Sequence, residues 1–239
     1  MSYTPSRVVS NEQIHGNYFM LAARTLRKPR KDPLPPQFTM VWVPGVDLIP
    51  LSYAYYDGGT AWFFYKVIGD GTKALSLRRP GDMIALSDPA GKSFIPKHNP
   101  VFLVGGSGVA PVLHYTKYLE RFRGIWGVKY GELAVRLMEK FPKLKLLTIA
   151  SEDCTYGLCG KLTDVLSEVG LNRDDTVFVA GPTEMVRYVC KELRGSHRGP
   201  LLVIAETLVK CGLGICGSCA IDGILLCRDG PLVGCEHFE

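Results

Sequence analysis

The chain lacks any long apolar run. Its strongest, "VFLVGG" at 101–106, falls far short of the roughly 20 residues that span a bilayer, and the opening "MSYTPSRVV" has neither the charged start nor the apolar core of a signal peptide. No membrane partner is expected, and a cytoplasmic location is. A strong excess of one charge is missing too: the net charge is +5, and the densest basic stretch, "RTLRKPRK" at 24–31, carries no interleaved aromatics. That speaks against a nucleic-acid platform and leaves a solvated hairpin tip, with a partner-docking patch as the lesser reading. The histidines at 15, 98, 114, 197 and 237 form no cluster, so a Rieske centre with its histidine ligands is not expected. Disorder is excluded as well: 46% of the residues are hydrophobic and 21% charged, and 239 residues are enough for two compact units.

What the chain has in an uneven supply is cysteine. Five of its eight cysteines (Cys211, Cys216, Cys219, Cys227, Cys235) fall in the last 29 residues. In a reducing compartment such clustering argues for metal or cluster ligation over structural disulfides. Cys154, Cys159 and Cys190, spread through the preceding region, are read as buried or loop thiols without a role.

Residues 1–98 read as β structure. Runs rich in β-branched and aromatic residues, "QFTMVWVPG" at 37–45, "AWFFYKVIG" at 61–69 and "DMIALSDP" at 82–89, are punctuated by Gly, Pro and Asp as in a small antiparallel barrel or sandwich, with one short helix expected near 72–79. Over 99–205 the period changes. A strand "VFLVGG" leads to an amphipathic stretch at 112–122, a helix at 131–141, a strand at 143–150, a short helix at 160–170, a strand at 176–181, a helix at 182–194 and a strand "LLVIAE". Alternation of this kind means a doubly wound parallel α/β sheet. Residues 206–239 are too few for a core of their own, so something inorganic is expected to organise them.

Three sets of residues carry the chemistry. "VFLVGGSGVAP" places Gly105, Gly106 and Gly108 between a strand and a helix, with Pro111 just inside it; such a turn lets a phosphate group approach backbone N–H groups, although the full G-x-G-x-x-G pattern is absent and a packing role stays open. "AGPTEM" sets Gly181 and Pro182 after a later strand of the same sheet. In the β region, Ser52 with Tyr53, Tyr55 and Tyr56, and Gly69, Gly71 and Thr72, could receive a ring and its phosphates, or could simply pack and turn. The third set is Cys211, Cys216, Cys219 and Cys227, whose C-x4-C-x2-C-x7-C spacing is that of a plant-type 2Fe-2S site. Gly212, Gly214 and Gly217 let a loop wrap such a body and turn its amides toward the sulfurs. Structural zinc, which usually shows two short knuckles where this chain has one, and a dithiol redox pair are the rivals. Cys235 is left over, and it could exchange with Cys227 as ligand.

Together these motifs, with "CGLGICGSC" and "LCRDGPLV" the most specific, resemble the electron-transfer subunits of two-subunit dihydroorotate dehydrogenase, in the ferredoxin-reductase superfamily, from about residue 5 to 234. The resemblance implies an FAD-binding β-barrel (1–98), a nicotinamide-nucleotide-binding α/β domain (99–205) and a 2Fe-2S segment (206–239). It implies that Pro50, Leu51 and Ser52 border the flavin, that Gly71 and Thr72 contact its phosphates, and that Gly105, Gly106, Gly108, Pro111, Gly181 and Pro182 line the nicotinamide side. It further implies a partner, the FMN-containing catalytic subunit that oxidises dihydroorotate, in a heterotetramer, with electrons reaching NAD by way of the cluster and FAD. No general base is needed in this chain and none is nominated.

The sequence departs from the family at two places. The family usually has an arginine where Ile49 stands, so flavin binding should weaken unless Lys66, Lys73 or Arg78 supplies the charge. A cysteine common before the second Gly-Pro is Ala180 here. Glu152 and Asp153, after the "LLTIA" strand, oppose an added phosphate and favour NAD over NADP. Sister subunits of hydrogenase or transhydrogenase type, a subunit serving an acceptor other than NAD, and a zinc-clipped binding module without catalysis are the alternatives.

Overall fold

The computed structural model describes residues 2–27 and 29–238; Lys28 of the basic stretch lies outside the described residues. The chain divides into two compact units, Met1–Phe94 with Thr207–Pro231, and Ile95–Glu206 with Leu232–Glu239.

The first unit is an antiparallel sheet built from β1 (Tyr3–His15), β2 (Tyr18–Thr25), β3 (Phe38–Val43), β4 (Asp47–Ser52), β5 (Tyr55–Asp57), β6 (Thr60–Lys66) and β7 (Met83–Ser87), with α1 (Asp70–Ser76) between the last two. The strands lie in the order β4-β3-β7-β1-β2-β6-β5. One face buries Val8, Leu21, Val41, Ile49, Phe63, Ile84 and Leu86 around Leu75 of α1. The helix starts at Asp70 because the Thr72 hydroxyl accepts the N–H groups of Ile68 (3.0 Å) and Gly69 (3.1 Å). It stops before Pro80, which disfavours helical geometry at Arg79.

The second unit is a parallel sheet. It comprises β8 (Val101–Gly105), α2 (Ala110–Tyr115), β9 (Arg123–Val128), α3 (Gly131–Lys140), β10 (Thr148–Ser151), β11 (Leu158–Cys159), β12 (Val177–Ala180), α4 (Thr183–Arg194) and β13 (Leu201–Ile204). Their order, β11-β10-β9-β8-β12-β13, reverses direction at β8, as a doubly wound sheet must.

Three local expectations need correction. α2 spans six residues, all of them buried, rather than continuing to 122, and the chain beyond it runs through turns; Lys143 Nζ takes up the carbonyls of Thr116 (2.7 Å) and Leu119 (2.9 Å) there, as their donor. No strand is expected from the sequence over 123–128, yet β9 pairs with both β8 and β10. Gly124 disguises it: with φ of +147° and the carbonyl oxygen of Phe102 only 1.8 Å from where a Cβ would sit, it is a close-approach residue rather than a loop signal. Finally, 142–146 and 162–169 form 3-10 turns, the second kinked at Val165.

The tail is split between the units. A hairpin of β14 (Ala220–Ile221) and β15 (Ile224–Leu225) turns through Asp222 and Gly223, both at positive φ, the geometry of a tight two-residue turn. The Cys227–Pro231 stretch is fastened to the segment after β7: Gly91 N–H donates to Cys227 O (2.9 Å), Lys92 N–H to Gly230 O, and Lys92 Nζ lies 3.6 Å from Asp229. β16 (Leu232–Gly234) then pairs antiparallel with β13. This pairing brings Cys235 to α4, where it forms a disulfide with Cys190, and a second disulfide joins Cys154 to Cys159. The reading of Cys154, Cys159 and Cys190 as thiols without a role, and of Cys235 as a spare ligand, is therefore corrected. The Cys190–Cys235 pair is 45 residues apart in sequence, and only the β13–β16 pairing makes the two neighbours. No helix among the described residues is long and apolar enough to cross a membrane.

Candidate functional site

Cys211, Cys216, Cys219 and Cys227 are the free cysteines. Gly212, Gly214 and Gly217 all take left-handed φ, between +66° and +75°, which folds the loop back on itself and aims its amides inward. Leu213 N–H donates to Cys211 Sγ (3.3 Å) and Gly214 N–H to Cys227 Sγ (3.1 Å), while Cys219 and Cys227 sulfurs are 3.4 Å apart. The amides of Leu213 and Ile215 pull the Cys211 thiol down to about 6, because they favour its thiolate. Burial, with Cys219 alongside, pushes Cys227 up to about 11. Cys219 and Cys227 are buried and Cys216 is exposed. The same stretch of chain exposes Leu208, Leu213 and Ile215, the last of them 79% exposed. Four thiols with amides directed at them suit a cluster of two irons. Among the described residues no three His, Cys, Asp or Glu side chains converge on the span of a single metal ion.

In the β unit, Pro50, Leu51 and Ser52 lie half-buried on β4, the end strand of the sheet, where a proline costs no ladder bond. Ile49 points into the apolar core with Val41 and Leu75, so the position that would carry an arginine carries packing instead. Tyr53 and Tyr56 are buried and meet edge to face in that same core. Both side chains pack there, one of the two readings open to them; desolvation raises the Tyr56 phenol to about 12. Gly71 is tightly placed, since a Cβ there would come 2.4 Å from Asp47 Oδ2. Among the cations considered as substitutes, Lys66 lies over the Tyr18 ring and Lys73 is exposed. Arg78 Nε is buried and meets no hydrogen-bond partner among the described residues. The apolar wall and glycine turn suit a flavin; the usual charge beside Pro50 is absent.

In the α/β unit the two predicted glycine turns meet. β8 and β12 are adjacent and parallel, with Ala180 opposite Val104, so both turns leave the same edge where the sheet order reverses. Gly108 faces the carbonyl of Ala180, 2.5 Å from where its Cβ would be, and Gly105 faces Pro182 and Met185. Gly106 (φ +53°) and Gly181 (φ +142°) need conformations that favour glycine. Trp126 Nε1 donates to Gly106 O at 3.0 Å and fixes the first turn from β9, a partner that no sequence pattern signals. Pro111 is buried within α2. The glycines bring the two turns together at the carboxyl ends of the strands, the place where sheets of this kind bind ligands.

At the next strand ends, Asp153 Oδ1 accepts from Gly131 N–H (3.1 Å), Thr155 N–H (3.2 Å) and Thr155 Oγ1 (2.8 Å), and the Thr155 and Gly131 bonds hold its carboxyl below the usual range. Asp153 therefore anchors its own loop and the start of α3, and of the acidic pair Glu152 is the member left to face outward.

No family model matches the chain. It is, however, similar over nearly its full length to named proteins. One from Methanopyrus kandleri, "Probable dihydroorotate dehydrogenase B (NAD(+)), electron transfer subunit", is 35% identical over 98% of this chain and 91% of that protein. A protein of the same name from Pyrococcus horikoshii is 36% identical over 86% of this chain and 81% of its own length. Among solved structures, that of an NADH-dependent reduced ferredoxin-NADP oxidoreductase superposes with a TM-score of 0.83 at 22% identity, covering 97% of this chain and 88% of the other. A ferredoxin NADP+ reductase from Neisseria gonorrhoeae gives 0.69 at 18% identity, over 82% and 92%. These likenesses show a ferredoxin-reductase fold, and the sequence relatives go further: the chain belongs to the family of dihydroorotate dehydrogenase B electron-transfer subunits.

Proposed function

We propose that the chain conveys electrons from a catalytic partner to NAD, with a 2Fe-2S cluster on Cys211, Cys216, Cys219 and Cys227, FAD against Pro50, Leu51, Ser52, Gly71 and Thr72, and the nicotinamide nucleotide at Gly105, Gly106, Gly108, Pro111, Gly181 and Pro182. One observation carries this reading. The eight cysteines divide into four that are paired in disulfides and four that are free, and the free four are those with the cluster spacing. When bound, these groups supply single-electron transfer at the cluster, and the flavin supplies the exchange between single electrons and a hydride.

The chain's own residues position and shield. The Leu213 and Gly214 amides stabilise negative charge on the sulfurs they face, and the burial of Cys219 and Cys227 keeps water from two of the four. Leu208, Leu213 and Ile215, on the same loop as Cys216, the one exposed member of the four, are exposed apolar side chains suited to a protein partner. That partner is read as the FMN-containing subunit that oxidises dihydroorotate, in a heterotetramer. The relatives' names, which specify NAD(+), agree with the acidic Glu152 in favouring NAD over NADP. A transhydrogenase-type role has only the fold to support it, since that likeness stands at 22% identity.

Protein purified without oxygen tests the whole reading. Iron and acid-labile sulfide in equal amounts, a flavin spectrum bleached by NADH, and co-purification of a dihydroorotate-oxidising subunit are expected. Zinc without sulfide would overturn the cluster, and a flavin that NADH leaves oxidised would overturn the nicotinamide role.

A further inference from the structure

We propose that Cys154 and Cys159 form a thiol–disulfide exchange site, a clasp opened by a dithiol, whose closure fixes Glu152 beside the nucleotide crevice. The proposal rests on the reading of the α/β unit as the nicotinamide side. Its first support is place. The clasp closes the loop that leaves the carboxyl end of β10 and returns as β11, on the same edge of the sheet as the two glycine turns. Glu152 N–H donates to Val128 O (3.0 Å) and Asp153 N–H to Lys129 O (3.2 Å), so the loop begins as a continuation of the sheet.

Its second support is how closely the loop is fitted. Ser151 Oγ donates to Tyr156 O (2.6 Å), Gly160 N–H to Ser151 O (3.0 Å), and Gly131 approaches Tyr156 so nearly that a Cβ would stand 2.7 Å from it. Within this frame Cys154 takes φ of +57°, left-handed geometry that a non-glycine residue holds only under constraint. The cross-link supplies such a constraint one residue after Asp153 and two after Glu152.

Its third support is contrast. Cys154 and Cys159 are both exposed, whereas Cys190 and Cys235 of the other disulfide are 4% and 7% exposed. Exchange requires a thiolate to reach a sulfur, and exposed disulfides are the labile ones. In the reaction a thiolate of the dithiol attacks one of the two sulfurs, the Cys154–Cys159 bond breaks, and the displaced sulfur takes a proton. The second thiol of the reagent then attacks the mixed disulfide and releases the other cysteine. Two electrons and two protons pass to the protein, and the reagent leaves as its own disulfide. With the clasp open, the loop loses its covalent closure and keeps only hydrogen bonds, those of Asp153, Ser151 and Gly160 and of the Glu152 amide, so Glu152 is held less firmly where it would meet a ribose hydroxyl.

The test uses the full chain in its oxidised state, titrated with dithiothreitol without oxygen, alkylated, and mapped by mass spectrometry, with NADH affinity measured alongside. Labelling of Cys154 and Cys159 at dithiol concentrations that leave Cys190 and Cys235 unlabelled is expected, together with a several-fold loss of NADH affinity. A C154S/C159S double variant should show the weaker affinity throughout and no response to dithiol. Reduction of both disulfides together, or an NADH affinity indifferent to the clasp, would overturn the proposal. If the oxidised protein does not bind NADH at all, the nicotinamide reading is what fails, and the alkylation order still decides whether the exchange site exists.

Discussion

Gly108 shows how a single residue can be legible in kind and illegible in reason. Its neighbours in sequence suggest a phosphate turn, but what demands glycine is the Ala180 carbonyl, 2.5 Å from where a Cβ would sit. Gly108→Ala must push the two turns apart. Overpacking of this sort costs roughly 1–3 kcal/mol, so a lower thermal midpoint together with weaker NADH binding is expected, read from melting curves and a nucleotide titration. His114 is the reverse case, a residue the sequence leaves unremarked. Burial, with Lys117 adding to it, lowers its pKa to about 3 from 6.5. The unfolded chain therefore binds the proton more readily than the folded one. Stability should be unaffected by this group above about pH 6.5 and fall as the pH drops from there toward 3, by about 1.4 kcal/mol per unit. Denaturant midpoints measured between pH 8 and 5 check the slope, which His114→Leu should flatten.

At the scale of elements, the short continuous apolar runs and the amphipathic period of the two longer helices are local signals, and β7, β8, β12, α3 and α4 lie where the pattern puts them. β9 does not, because its two glycines, Gly124 and Gly127, serve contacts with Phe102 and Leu162 that no local pattern encodes. The four cysteines that the spacing singles out are the four left free, and spacing is itself a local property. Its substitutions should separate cleanly. Cys219→Ser is expected to lose iron and labile sulfide, whereas Cys235→Ser should keep both and lose only the staple to Cys190. The staple closes a loop of 45 residues, and its loss should destabilise the protein by up to about 4 kcal/mol. Iron analysis and a melting curve on the two variants make the comparison; loss of iron from Cys235→Ser would mean that Cys235 is a ligand after all.

For the molecule as a whole, the exposed Leu208, Leu213 and Ile215 of the cysteine loop, read as a rim, bear on association. Ile215→Asp places a charge on the most exposed apolar side chain of that rim. Co-purification with the catalytic partner should be lost while iron content and NADH-dependent flavin reduction persist; a partner still bound would place the interface elsewhere. The sequence by itself determined the two kinds of sheet, the glycine turns and the four-cysteine spacing, because periods, turns and ligand intervals are local and written along the chain. Tertiary structure alone decided which cysteines are free and which are paired, that Ile49 and the tyrosines face a core, and that Asp153 anchors a loop while Glu152 faces outward. Those outcomes depend on strands such as β13 and β16 meeting across distances that no stretch of residues contains.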